Sequence, residues 1–260
     1  MSAPPVRNLL PHEHGAYGQI AMPIACALLL GRPGIAAALL AAGAFSGFLA
    51  YEPLLVLSGN RGRRAREEHG ARALRLAGLL LAVAALLAGT GFLLASPEAR
   101  RAALVPPLLA AVVALLVRLE VERTVAGEVA VAVALSSAGF PVAVASGAST
   151  PVAASAWLAW SLGFAAATLA VEVVLSRARG PARDPGPAAA LGVVLLQGVA
   201  AATWGAGWVP AAVPLAVAPM AVASLAVIGL RVPARRLKAV GWAAVAGSTA
   251  ALAVLVAGLR

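Results

Sequence analysis

Four short groups of polar residues in an otherwise apolar chain have the types and spacing to do chemistry. The first, Pro11-His12-Glu13-His14-Gly15-Ala16-Tyr17-Gly18-Gln19, gathers two histidines, a carboxylate, a phenol and an amide at the start of an apolar run. A His-x-His pair can ligate a metal, but two ligands are too few without partners elsewhere, and the sequence assigns neither a metal nor another cofactor. Backbone N–H groups at a helix start also favour an anion. His12, Glu13, His14, Tyr17 and Gln19 are therefore candidate contacts to a head group or substrate, with interfacial anchoring and helix capping the plainer role.

The second group is Glu52, which follows Tyr51 in the last turns of an apolar run and precedes Arg61. At about 1.5 Å per residue it lies inside the bilayer from that arginine, where an unpaired charge is costly. Glu52 is expected to face the bundle interior, as a functional carboxylate or as the partner of an arginine from its own or a neighbouring loop. The third group, Arg118 to Glu128, reads as a tight turn. Arg118 with Glu122, and Glu120 with Arg123, have helical pairing distances and would give surface ion pairs. Glu122, Arg123 and Glu128 are candidates for function, with Thr124 on the face of Glu128.

The fourth group is Thr168, Glu172, Ser176 and Arg179, whose spacing puts them on one helical face. It includes part of a repeat. Val56-Leu57-Ser58-Gly59-Asn60-Arg61-Gly62 returns as Val174-Leu175-Ser176-Arg177-Ala178-Arg179-Gly180, each copy shortly after a glutamate, Glu52 or Glu172. Coincidence is one explanation in a chain rich in these residues. A site shared between two helix ends is the other.

These groups must be positioned by membrane helices. The 260 residues are 62% hydrophobic and 12% charged, against roughly 25% charge in a soluble domain, and mean hydropathy is +0.92. Nine apolar segments are long enough to span, near residues 15–31, 34–57, 76–95, 102–118, 128–146, 155–175, 188–205, 210–230 and 239–258. The expected fold is all-α, a polytopic transmembrane bundle of about nine spans forming a single integral membrane domain over residues 1–260. Pro23 and the acidic flank argue for a retained first helix over a cleaved signal. Pro210, Pro214 and Pro219 should bend or shorten the eighth span.

The net charge of +10 would suggest nucleic acid in a soluble protein. Here the arginines cluster after the second, sixth and eighth spans, as the positive-inside rule requires of a cytoplasmic N-terminus, so no nucleic-acid partner is expected. Arg100 and Arg101 fall on the opposite side and object to this orientation. Trp157, Trp160, Trp204 and Trp208 lie toward the outer ends, where aromatic rings concentrate. The expected location is a bacterial cytoplasmic membrane, with the lipid bilayer as the first partner. Cys26 stands alone, without a disulfide partner.

The Pro-His-Glu-His-Gly-Ala-Tyr block, Tyr51-Glu52-Pro53-Leu54 with its arginine-rich loop, and Glu122-Arg123 before Gly127-Glu128 resemble the YwiC-like family of bacterial membrane proteins. A more distant resemblance is to the UbiA-type prenyltransferase superfamily. It implies nine helices, a cytoplasmic N-terminus and two acidic motifs at the inner ends of helices two and six, the places of Glu52 and Glu172. It also implies a basic, threonine-bearing loop between helices four and five, similar to Glu122-Arg123-Thr124. The superfamily holds magnesium on a diphosphate through aspartates, whereas the only aspartate here is Asp184. Arginines can instead neutralise an anionic head without metal.

Three functions fit this reading. The first is binding of a lipid or isoprenoid with an anionic head in a cytoplasm-facing pocket, by Glu52, Glu172, Arg61 and Arg179, whether or not catalysis follows. The second is small-molecule transport, for which Gln197, Ser136, Ser137 and Ser161 are the deep polar residues. The third is a membrane assembly subunit that uses the basic loops.

Overall fold

A computed structural model describes residues 9–11, 14–121, 124–180 and 184–260. Among these residues the chain forms no strand. Its helices are α1 (His14–Leu30), α2 (Ile35–Leu49), α3 (Tyr51–Ser58), α4 (Arg63–Leu94), α5 (Pro97–Ala102), α6 (Val105–Arg118), α7 (Val125–Ser136), α8 (Gly139–Ala145), α9 (Thr150–Ala178), α10 (Gly186–Gly205), α11 (Ala212–Gly229) and α12 (Leu237–Leu259). A 3-10 turn at Ala234–Arg236 leads into the last. Eight stretches, three of them made of two successive helices, are long and apolar enough to cross a bilayer. α1, with 17 residues, is at the short end of the spanning range.

Proline explains the paired helices. Each proline lacks the N–H that would bond the carbonyl four residues earlier. For Pro53, Pro106 and Pro141 those carbonyls belong to Leu49, Ala102 and Ser137, and the chain leaves one helix and begins the next at each place. Tighter bonds take over there: Ala50 N–H donates to Gly47 O at 3.2 Å, Leu104 to Arg101 O at 3.2 Å and Phe140 to Ser137 O at 3.0 Å. The second and fifth expected spans are thus two helices each. The eighth, α11, is the shortest of the eight at 18 residues.

One expected connection is helical. Residues 63–75 open α4 instead of forming a polar loop, because Ala, Arg and Glu are good helix formers. Arg63 also pairs with Glu67 at 2.7 Å and Arg64 with Glu68 at 2.6 Å, one turn on. At 32 residues α4 is about 48 Å long, well beyond the ~30 Å hydrocarbon core, so its basic first turns project from the membrane. Leu79, Leu86 and Leu93 lie exposed along the rest of it, facing lipid.

α9 is the central element and packs against α7, α8, α10, α11 and α12. Trp160, expected near an interface, is instead 1% exposed and stacks on Phe164 at 5.4 Å. It stands ten residues into α9, about 15 Å from its start, which is mid-membrane depth. Trp204, Trp208 and Trp242 are exposed, as interfacial rings should be.

Contacts between chain-distant segments define two ends. At one, Leu9 packs with Val56 and Ala73, Asn60 bonds Val117 O and Arg177 bonds Ile228 O. At the other, Arg32 N–H donates to Ser146 O at 2.7 Å, and Arg100 donates to Phe92 O and Leu93 O at 3.0 and 2.6 Å. Arg100 also lies 5.9 Å over the Phe92 ring. It is committed to capping the carbonyl end of α4, which gives it a structural reason to stand on the side opposite most of the arginines.

α1 and α8 cross at Gly139, where an added Cβ would stand 2.7 Å from the backbone oxygen of Pro23. Backbone cannot move aside as a side chain can. Gly139→Ala should lower stability by about 1–3 kcal/mol through overpacking. Gly89→Ala, in the exposed interior of α4 with nothing within 4 Å, should not destabilise and should gain up to about 1 kcal/mol. Equilibrium unfolding in mixed detergent micelles compares the two; equal effects would refute the close crossing.

Candidate functional site

The first repeat copy ends α3 and turns the chain back on itself. Gly59 takes the left-handed conformation, φ 86°, that closes a helix, and Gly62 follows at φ 93°. This reversal returns Arg61 to the helix it has left. Arg61 Nε donates to Glu52 Oε1 at 3.0 Å and Nη2 to Oε2 at 2.6 Å, a two-pronged pair. The Glu52 side chain is 2% exposed and that of Arg61 28%. The carboxylate expected to face the bundle does so, held by an arginine of its own loop.

The next residue back joins this pair to a second group. Asn60 Nδ2 donates to Val117 O at 3.5 Å, a long bond to the last turn of α6. α6 ends at Arg118, and Glu120 adopts φ 57°, so the segment is not helical where pairing of Arg118 with Glu122, or Glu120 with Arg123, would need it. Glu122 and Arg123 lie outside the described residues. Thr124 starts α7, its hydroxyl accepting from Gly127 N–H at 3.1 Å. Glu128 is half-buried in the first turn of α7.

The second repeat copy closes differently: α9 runs on to Ala178, Arg179 is its right-handed C-cap, and the left-handed glycine comes only after it. Gly180 has φ 69°, and Arg179 Nη2 donates to Glu172 Oε1. This pair is more open, with side chains 65% and 25% exposed. Its position follows from α7. Ser136 and Ser161 hydroxyls meet at 3.2 Å between the antiparallel α7 and α9. Counting equal steps from this contact, forward to Glu172 and back to Val125, brings Glu172 level with the start of α7. At 100° per residue Ser161, Thr168, Glu172 and Arg179 form one stripe, the stripe turned toward α7. Glu52–Arg61 thus stands by the last turn of α6 through Asn60, and Glu172 stands level with the start of α7. Behind them the apolar packing differs: Val56 belongs to a small cluster with Leu9 and Ala73, Val173 and Val174 to a larger one with α10, α11 and α12.

The N-terminal group is only partly placed. His12 and Glu13 lie outside the described residues. His14 opens α1. Tyr17 packs edge-on against Phe48 with ring centroids 5.0 Å apart, and near Phe45 at 6.3 Å, so its ring anchors α1 against the end of α2. Gln19 is half-buried in α1. Among the described residues no cluster of three or more His, Cys, Asp or Glu is arranged to hold a metal ion.

Of the deep polar residues, Ser136 and Ser161 bond each other, Ser137 bonds Ala134 O at 2.6 Å, and Gln197 Nε2 bonds Pro214 O at 3.1 Å. Ser136 also borders a crevice of about 190 Å³ between α1, α8 and α9.

Sequence reasoning overlooked one network at the same end. Arg177 Nε and Nη2 grip both carboxylate oxygens of Asp184 at 2.9 and 3.0 Å, and Nη1 donates to Ile228 O at 2.9 Å. Asp184 also accepts from Gly186 N–H at 2.9 Å, at the start of α10, and Arg231 stands 3.8 Å away. One carboxylate thus ties α9, α10 and α11 together. Its being the sole aspartate in the chain was the available signal. The Arg177 hydrogen bonds, then the Gly186 N–H, hold the Asp184 carboxyl below its ordinary range.

A chain of this kind, with eight or more apolar crossing helices and its buried charge gathered at one end, is a multi-pass integral membrane protein. It belongs to the YwiC-like family: the model of the YwiC-like protein matches residues 10–144, just over half of the sequence. No curated protein and no solved structure matches it. The matched region spans α1 to α8. It contains Glu52, Arg61 and the α6–α7 connection, and leaves Glu172, Arg179 and Asp184 beyond it.

Glu52→Gln removes one charge of a largely buried two-pronged pair and should cost about 3–5 kcal/mol, whereas Glu172→Gln at the exposed pair should cost no more than about 1 kcal/mol. Denaturant titration of both variants reads the difference, and equal losses would refute the contrast. Asp184 gives a pH test. A carboxyl lowered in the folded state adds stability above its unfolded pKa and loses it as pH falls through the folded value. The stability gap between the parent and Asp184→Asn should be full at neutral pH and close below the ordinary carboxylate range; a gap constant with pH would contradict the ion pair.

Proposed function

We propose that this protein binds a lipid or isoprenoid with an anionic head group in a pocket at its arginine-rich end, that this end faces the cytoplasm, and that the membrane is the bacterial inner membrane. The observation that carries the reading is the buried Glu52–Arg61 pair joined through Asn60 to the α6–α7 connection. A carboxylate this far out of water is expensive, and a pair placed only for stability would gain little over apolar packing. In this proposal its use is to hold Arg61 in a fixed attitude beside the end of α6, with Glu172 and Arg179 forming the second wall of the pocket. Exposed Arg118, Arg179 and the arginines opening α4 supply cationic surplus, and a basic loop segment is the side that positive-inside orientation keeps in the cytoplasm.

The assignment of His12, Glu13, His14, Tyr17, Gln19, Glu122, Arg123 and Glu128 to the same pocket belongs to this proposal. So does a UbiA-like scaffold in which arginines take over the anion that aspartate-bound magnesium holds elsewhere.

Thermal unfolding of the purified full chain with farnesyl phosphate or with farnesol tests the reading. Farnesyl phosphate should raise Tm and farnesol should not, and Arg179→Gln should weaken the phosphate-dependent shift severalfold. Equal shifts with both compounds, or none with the phosphate, would refute an anion-selective pocket.

A further inference from the structure

A shallow, half-open crevice runs between α9, α11 and α12. It lies on another side of α9 from the Glu172 stripe, since Ala167 and Ala170 line it while Thr168 and Glu172 turn toward α7. Its walls are mostly small, with Ala223 and Ala243 opposite. The one hydroxyl in the wall, Ser224, already donates to Met220 O at 2.8 Å, so no wall group calls for a polar occupant. A smooth apolar channel inside a bilayer fits a hydrocarbon chain.

The mouth selects the rest of the occupant. Val227 and Val240, both lining residues, stand within one turn of the end of α11 and the start of α12, so the crevice opens at the arginine-rich end. Exposed Arg231, Arg235, Arg236 and Lys238 all lie between the end of α11 and the first turn of α12, and Asp184 is engaged by Arg177 and Arg231. Arg236 precedes Val240 by four residues, and the 3-10 turn that carries Arg235 and Arg236 packs on α9 and α12, so both residues belong to the segment next to that end of the crevice.

We propose that this crevice is a second lipid site, separate from the pocket at the α6–α7 connection, which takes one acyl chain of an anionic phospholipid from the surrounding leaflet, with the phosphate at Arg235 and Arg236. Native mass spectrometry tests it on the full chain taken from vesicles of equal phosphatidylglycerol and phosphatidylcholine. The parent should retain phosphatidylglycerol in preference. Arg235→Gln with Arg236→Gln should reduce that preference roughly fivefold per charge removed. Ala223→Phe, which fills the channel, should lower retention of both lipids, and Arg101→Gln, an exposed arginine on the opposite side, should change neither. Equal retention of the two lipids by the parent, or retention unchanged in the surface double variant, would overturn the proposal. So would a dimer that excludes lipid and dissociates on Ala223→Phe, since a second copy would then be the occupant.

Discussion

Inside a bilayer there is no water to accept what the protein leaves unbonded, so every backbone donor and acceptor must find a partner within the protein. That constraint makes the fold all-helical and makes proline the main editor of the helices. Pro53, Pro106 and Pro141 each deprive a carbonyl of its partner, and the chain answers with a shift to three-residue bonds at Gly47, Arg101 and Ser137. The resulting breaks are structural joints. One of them sets α3 apart from α2 and begins the short helix on which Glu52 rides.

The same scarcity of water governs the charges. Glu52 is affordable at 1% exposure because Arg61 meets both its oxygens, and Arg61 can do so because Gly59 and Gly62 supply backbone conformations that turn the chain back. Glu172 and Arg179 repeat the device at the rim, where exposure makes the pair weaker and more adaptable. The repeat is not in register with its glutamates: Arg61 follows Glu52 by nine residues and Arg179 follows Glu172 by seven. What recurs is an arginine near a helix end paired with the glutamate that precedes it: Arg61 reaches back from beyond the Gly59 turn, whereas Arg179 still caps the helix that carries Glu172. Arg177, in the second copy only, is diverted to Asp184 and secures three helices instead.

Legibility in the sequence varied with the range of the interaction. Apolar runs, the polarity of their ends and the pairing of an arginine with a glutamate a few residues away are local, and residue order displayed them. The helical continuation through residues 63–75 was hidden by their polarity, since a charged stretch reads as a loop unless its propensity and its Arg63–Glu67 and Arg64–Glu68 spacings are weighed. Trp160 misled because an aromatic ring suits both an interface and a core, and depth along α9 decided between them.

From the sequence alone came the membrane class, the apolar segments, of which eight of the nine expected are long enough to cross among the described residues, the end at which most cations gather and the candidate acids, because each depends on composition or on neighbours along the chain. The tertiary structure decided which partner each charge takes and which groups stand together. Asn60 meets Val117, Arg177 meets Ile228, and Ser136 meets Ser161, and each contact joins residues from separate helices. No periodicity encodes such contacts, because they depend on how whole helices settle side by side, through close approaches such as Gly139 on Pro23 and through side-chain shape summed over the entire bundle.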